Sequence, residues 1–176
     1  MAAPKAPDLP LNGSVELAPG KTADPKASDL PPNARVELAR SACYGSCPVY
    51  SLVIHADGTV VYWGEAHVRL HGQGTKKVPP QAVSELVRDS LAAGFLTWND
   101  RYDSEATDMA SAQTTIVAGE IAKTIRDYGP EDERLYGSQA EVRRKLAAIE
   151  KRIDTVAQSA EWVGCPDEEQ GLCRQW

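Results

Sequence analysis

The sequence predicts an α+β domain: an antiparallel β-sheet built from hairpins, two helices packed on it, and a proline-rich N-terminal tail expected to be disordered. Three observations lead there. β-rich runs flank Asp57-Gly58 and again Gly119-Glu120, the pattern of hairpins. Two stretches, after Pro79-Pro80 and after Ser138, repeat apolar residues at helical spacing. Seven of the twelve prolines fall within residues 1–33, which hold almost no aromatic or β-branched side chains and cannot bury enough apolar area to offset chain ordering.

The tail contains a duplication. KAPDLPLNGSVELA (5–18) returns as KASDLPPNARVELA (26–39), with ten of fourteen positions identical and an offset of 21 residues. Two copies are too few for a solenoid, so the segment reads as a duplicated linker. If the second copy is an edge strand, the first is free to add to a neighbour's sheet edge. The folded part is expected to start near Ala34, with ARVELARS as the first strand. PVYSLVIHADGTVVYWGEAHVRL is the clearest element. A two-residue turn at Asp57-Gly58 sets Ile54 opposite Val61, Leu52 opposite Trp63 and Val53 opposite Tyr62. Apolar residues on both faces then suggest a central hairpin, covered at least partly on each side. His71–Gly74 reads as the next turn, returning through Thr75–Val78.

Pro79-Pro80 starts a helix with Val83, Leu86, Val87 and Leu91 on one face and Gly94 at its C-terminal cap; Phe95 and Leu96 are expected to fold back on it. Residues 97–111 read as an acidic loop, and Gln113–Ala118 with Ile121–Asp127 as a second hairpin. Ser138-Gln139-Ala140-Glu141 is a capping-box pattern. It opens a helix with Val142, Leu146, Ile149, Ile153 and Val156 on its stripe, and Arg143, Arg144, Lys145, Lys151 and Arg152 outside it, in solvent. The organisation expected is a tail over 1–33, one domain over 34–162, and a Cys-bracketed appendage over 163–176.

Composition narrows the function. A chain of 176 residues holds one domain plus tails. A net charge of −6 and a pI near 5.1 lack the basic footprint of a general nucleic-acid binder. No apolar run is long enough to span a membrane. After Met1-Ala-Ala-Pro come Lys, Asp and Pro rather than an apolar signal core. That fits either a cytoplasmic protein or one whose signal has been removed, which leaves room for a membrane tether. An even count of four cysteines in two close pairs favours an oxidising location, periplasm or cell surface.

The cysteines are the first candidate site. Cys43 and Cys47 are four apart around Tyr-Gly-Ser. Extended chain would separate their Cα atoms by about 13 Å, whereas a disulfide needs less than about 7 Å, so a local bridge requires a turn there. Tyr-Gly-Ser permits one, and Pro48 removes a donor where the next strand starts. Cys165–Cys173 is a second candidate staple. Cross-pairing between the pairs, free thiols and a metal site stay open. His67 and His71 fall near the cysteines in the hairpin register, although Cys47 would point to the face opposite His67. Two thiolates with these imidazoles would suit a soft ion such as copper(I). His55, beside the turn, is over about 20 Å from Cys47.

Asp100, Asp103, Glu105 and Asp108 lack the spacing of a calcium loop and read as solvated. No Gly-x-Ser-x-Gly elbow, His-Glu-x-x-His pair or phosphate-binding loop appears, so no catalytic residue and no cofactor is assigned.

Cys-aromatic-Gly-x-Cys-Pro-x-Tyr, a strand, then Asp-Gly-Thr-Val resembles the bacterial family catalogued as domain of unknown function 6438. The match rests on Cys43, Gly45, Cys47, Pro48 and Tyr50 and extends over about residues 34–162 through the second turn, the Pro-started helix and the Asp-Tyr-Gly segment. The resemblance implies a secreted or lipoprotein-type bacterial protein without an established activity. The function expected is a non-enzymatic envelope module that binds an unidentified envelope protein and is stabilised by disulfides. The alternative is a thiol-redox or copper-handling module using Cys43 and Cys47.

Overall fold

Cross-strand hydrogen bonding organises the chain around one sheet. The computed structural model describes residues 29–130 and 132–164. The first copy of the duplication, Cys165 and Cys173 therefore lie outside the described residues. Seven strands, β1 (Arg35–Arg40), β2 (Val49–His55), β3 (Thr59–Ala66), β4 (Gly72–Lys77), β5 (Arg101–Tyr102), β6 (Ser111–Ala118) and β7 (Ile121–Tyr128), form a single sheet. Their order is β4-β3-β2-β1-β6-β7-β5. All pairs are antiparallel except the short β5–β7 contact. Two main helices, α1 (Pro80–Ala92) and α2 (Ala140–Ala157), and a single turn α3 (Ala160–Val163) complete the α+β fold. Among the described residues no helix is long and apolar enough to cross a membrane.

The alternation of side chains decides which face is covered. Val36 and Leu38 of β1, Tyr50, Leu52 and Ile54 of β2, Val60 and Tyr62 of β3, and Ala112 and Ile116 of β6 are buried together with Val83, Leu86 and Val87 of α1 and Leu146, Ile149 and Ile153 of α2. The other face carries half-buried Val53 and Val61 and a Trp63 that is 51% exposed. At least partial cover was expected on each face; among the described residues both main helices pack on the first, and the second is left half-buried. β1 is central, paired with β2 and β6 along its whole length. An edge position for it, on which the strand-addition idea depended, is not realised.

The first hairpin differs from expectation by one residue. Its loop has three residues, Ala56, Asp57 and Gly58, closed by Gly58 N–H donating to His55 O at 2.9 Å. Ile54 therefore pairs with Val60, Leu52 with Tyr62 and Val53 with Val61. A one-residue slip sends every side chain to the other face, which is why Trp63 faces solvent and Tyr62 the core. Gly58 has φ +80°, and a Cβ there would lie 2.0 Å from the Val78 carbonyl oxygen, so only glycine fits. The next turn also falls earlier than expected, at residues 67–71, and β4 begins at Gly72.

Three further corrections concern the helices and their flanks. The capping box does not form: α2 starts at Ala140, its N-cap is Gln139 without a side-chain cap, and residues 137–139 make a 3-10 turn instead. Arg143, expected in solvent, is fully buried, as is Glu150. Phe95 packs into the core as expected, whereas Leu96 remains exposed. Gly94, at φ +104°, follows α1 as expected for a helix terminator. The acidic stretch contains the short strand β5, which no sequence pattern signalled.

Candidate functional site: the disulfide-braced loop end

The two ends of the sheet are built differently. At one end the chain reverses through residues 56–58 and 119–120. At the other lie four longer connections, 41–48, 67–71, 103–110 and 129–139. All five family-motif positions fall at this loop end.

Cys43 and Cys47 are joined by a disulfide with Cα atoms 5.6 Å apart. The separation requires the turn anticipated from Tyr-Gly-Ser, and Gly45 provides it at φ +144°. Both cysteines are half-buried, Pro48 beneath them is buried, and Tyr44, Gly45 and Ser46 are exposed. Tyr44 is 89% exposed, the most exposed large apolar side chain among the described residues.

Hydrogen bonds fix this loop to its neighbour. Tyr44 N–H donates to Asp108 O at 2.8 Å, and Ser41 N–H to Ser111 O at 2.9 Å. Ser111 N–H donates in return to Ser41 Oγ at 2.8 Å. Farther along, Met109 N–H donates to the Tyr128 hydroxyl at 3.0 Å. Asp108 and His67 both adopt left-handed backbone, at φ 66° and 53°. Such conformations cost of order 1–3 kcal/mol each and collect where surrounding structure over-determines them.

Below the loop, two polar networks bind the sheet to α2. Tyr50, the last motif residue, donates its hydroxyl to Asp154 Oδ1 at 2.7 Å and accepts from Arg40 Nε at 3.0 Å. Arg40 Nη2 reaches Asp154 Oδ2 at 3.1 Å, and Ser159 Oγ donates to Asp154 Oδ1 at 2.6 Å. Burial, with the Asp154 carboxylate beside it, pushes the Tyr50 hydroxyl pKa up well beyond the ordinary phenol range. The second network pairs Arg143 Nη2 with Asp127 Oδ1 at 2.6 Å, both side chains wholly buried. Arg143 also donates to Tyr128 O at 2.6 Å and stacks 4.5 Å from the centre of the Tyr136 ring. Thr114 Oγ1 meets Glu150 Oε1 at 3.4 Å. The Arg143–Asp127 pair is closed to solvent and the Arg40–Asp154 pair is partly open to it; both act as struts under the loop end.

Other sequence candidates are not drawn together. His71 Nδ1 lies 3.0 Å from Glu65 O, and His67 is exposed. Among the described residues no group of three or more His, Cys, Asp or Glu side chains gathers to hold a metal. Asp100 pairs with Lys123 and Asp103 with Arg101, and Glu105 is exposed. Cys165 and Cys173 lie outside the described residues. The Arg40–Tyr50–Asp154 and Arg143–Asp127 networks were missed; Asp154 and Arg143 sit on helical faces that carry charge on both sides of the stripe.

A search of curated proteins finds no match to the chain. The family model described as "Domain of unknown function (DUF6438)" matches residues 34–157, from the entry to β1 to the end of α2. The disulfide loop, its Tyr50 anchor and the helix that holds that anchor all lie inside the match. This chain belongs to the domain of unknown function 6438 family.

Proposed function

We propose that this protein is a non-enzymatic, extracytoplasmic binding module, and that its loop end, centred on Tyr44, docks a protein partner in the cell envelope. The observation that carries the proposal is Tyr44, 89% exposed on a loop held at both ends by one disulfide and pinned laterally to residues 108–111. A large aromatic presented on rigid backbone loses little entropy on binding, and such side chains dominate contact energy. The disulfide supports an oxidising compartment. In this proposal residues 34–162 form the domain, the proline-rich tail spaces or tethers it, and 163–176 is an appendage closed by Cys165–Cys173.

The test is capture of envelope proteins on the immobilised chain. Tyr44→Ala should remove the captured partner, Tyr44→Phe should retain most of it, and Trp63→Ala on the open sheet face should leave it unchanged. Equal capture by Tyr44→Ala would overturn the proposal. A second reading, thiol–disulfide exchange, is favoured by the half-exposure of Cys43 and Cys47. Equilibration with a glutathione buffer decides it: a pair that stays oxidised at cytosol-like ratios excludes the exchange role.

A further inference from the structure

Residues inside the family match build a slot, and residues beyond the match fill it. The slot lies on the covered face of β3 and β4, where Gly74, Tyr62, Leu52 and Leu38 share one cross-strand row. Gly74 ends that row without a side chain, and the Trp162 ring takes the space. A Cβ at Gly74 would lie 2.9 Å from Trp162 Cε2 and 2.9 Å from Leu70 Cδ2. The Trp162 ring stacks on Tyr62, with centroids 5.0 Å apart and planes 27° from parallel. The Lys76 ammonium sits 4.3 Å from the centre of the Trp162 ring.

The backbone of α3 is held as well. The last carbonyls of a helical turn need donors from outside it. Leu70 N–H donates to Trp162 O at 2.8 Å, and Arg69 N–H to Val163 O at 2.9 Å. Lys76 Nζ reaches Glu161 Oε2 at 2.7 Å and Gln158 O at 3.2 Å. Val163 is buried in the core. The turn is thus gripped at successive positions by its carboxylate, its tryptophan and its β-branched residue.

Two observations separate the occupant from the site. The family match ends at Ala157, so Tyr62, Arg69, Leu70, Gly74 and Lys76 lie inside it and Gln158–Gly164 outside. The occupant is also the weaker element. A single helical turn has little stability of its own. It joins α2 through Gln158 in left-handed backbone at φ 52°, and the Glu161 side chain is 66% exposed. Elements of this kind open locally at a small fraction of the cost of global unfolding.

We propose that the slot is a peptide-docking site for a segment of another protein that carries an acidic residue, a tryptophan and a β-branched residue in succession, and that residues 158–164 occupy it in cis as a displaceable stand-in. Charge complementarity sets the first preference: the Lys76 side chain, 15% exposed, meets a carboxylate and the tryptophan ring together. The gap over Gly74, floored by Tyr62, sets the second. The Arg69 and Leu70 N–H groups accept any backbone of this shape, so selectivity comes from the side chains. This site is independent of the role given to Tyr44.

An NMR titration tests this on the full, isotope-labelled chain. The probe is an unlabelled, end-blocked peptide of residues 158–164, and the readouts are the Leu70 and Gly74 amides and the Trp162 indole N–H. Trp162→Ala with Val163→Ala vacates the slot, and that chain should bind the probe at least about tenfold more tightly than the wild type, whose own turn competes at high effective concentration. In the wild type, saturating probe should move the resident indole signal to the position of a solvated tryptophan. A probe carrying Trp162→Ala should shift no signal. If the double variant does not fold, Glu161→Lys, which loosens the resident turn at Lys76, takes its place and should bind the probe several-fold more tightly than the wild type. No shift at Leu70 and Gly74 in these chains overturns the proposal, because the turn is then a fixed part of the fold. Equal affinity for wild type and variant also overturns it, because the probe then binds elsewhere. Association of wild-type chains as concentration rises, lost in the variant, gives the slot to a second copy and overturns it too.

Discussion

The two ends of the sheet connect the same strands by different means. At the turn end the connections are three and two residues long, and the charged pair beside the first, Asp57 with Lys77 at 2.7 Å, is largely exposed. At the loop end stand the disulfide, left-handed His67 and Asp108, the fully buried Arg143–Asp127 pair and the half-buried Arg40–Asp154 pair. Burying charge is rarely the cheapest way to stabilise a fold. Its concentration at one end, beneath an exposed tyrosine, separates the part of the sheet that merely closes from the part that holds a shape.

The largest effect should come from the deepest strut. Arg143→Met leaves Asp127 buried without its guanidinium and should cost about 3–5 kcal/mol, read as a fall in the urea midpoint. Arg143→Met with Asp127→Leu should recover much of that loss. Next comes the clamp. Cys43→Ser with Cys47→Ser should cost about 2 kcal/mol for a loop this short. It should also shift the NMR amide signals of residues 108–111 while leaving those of 119–120 in place.

Alkaline unfolding comes third. Burial pushes the Tyr62 hydroxyl to about 12 and the Tyr136 hydroxyl to about 12, against 10.0 ordinarily. The folded chain then keeps protons that the unfolded chain gives up. Stability is complete below pH 10 and falls as pH rises toward 12, with phenolate absorbance appearing together with unfolding. The smallest effect is at the turn end. Hydrogen bonds from Lys77, then Thr59, hold the Asp57 carboxyl well below its usual range. That contribution is present above about pH 4 and is lost as pH falls through the folded value. Asp57 is exposed, so Asp57→Asn should cost less than about 1 kcal/mol at neutral pH.

Much of the fold was readable because its signals are local. Alternation marked the strands, Asp57-Gly58 and Gly119-Glu120 marked the turns, and Pro80 and Gly94 bracketed α1. The errors arose where a decision depended on distant partners. Asp-Gly fits both two- and three-residue loops, and the choice made here moved Trp63 from one face to the other. Arg143 looked solvated because its partner, Asp127, belongs to a strand that the helix meets only in three dimensions. β5 is two residues long and parallel, too short for any periodicity. At the candidate site the cysteine motif was visible and so was the need for a turn. The role of Tyr50 was not, because Asp154 lies 104 residues away.

The most direct measurement places a photo-reactive phenylalanine analogue at Tyr44, and separately at Glu120 on the turn end, in cells that make the protein. The account predicts one discrete cross-linked partner from position 44, lost when Cys43 and Cys47 are replaced by serine, and none from position 120. Cross-links of equal yield at both ends, or none at position 44, would contradict it.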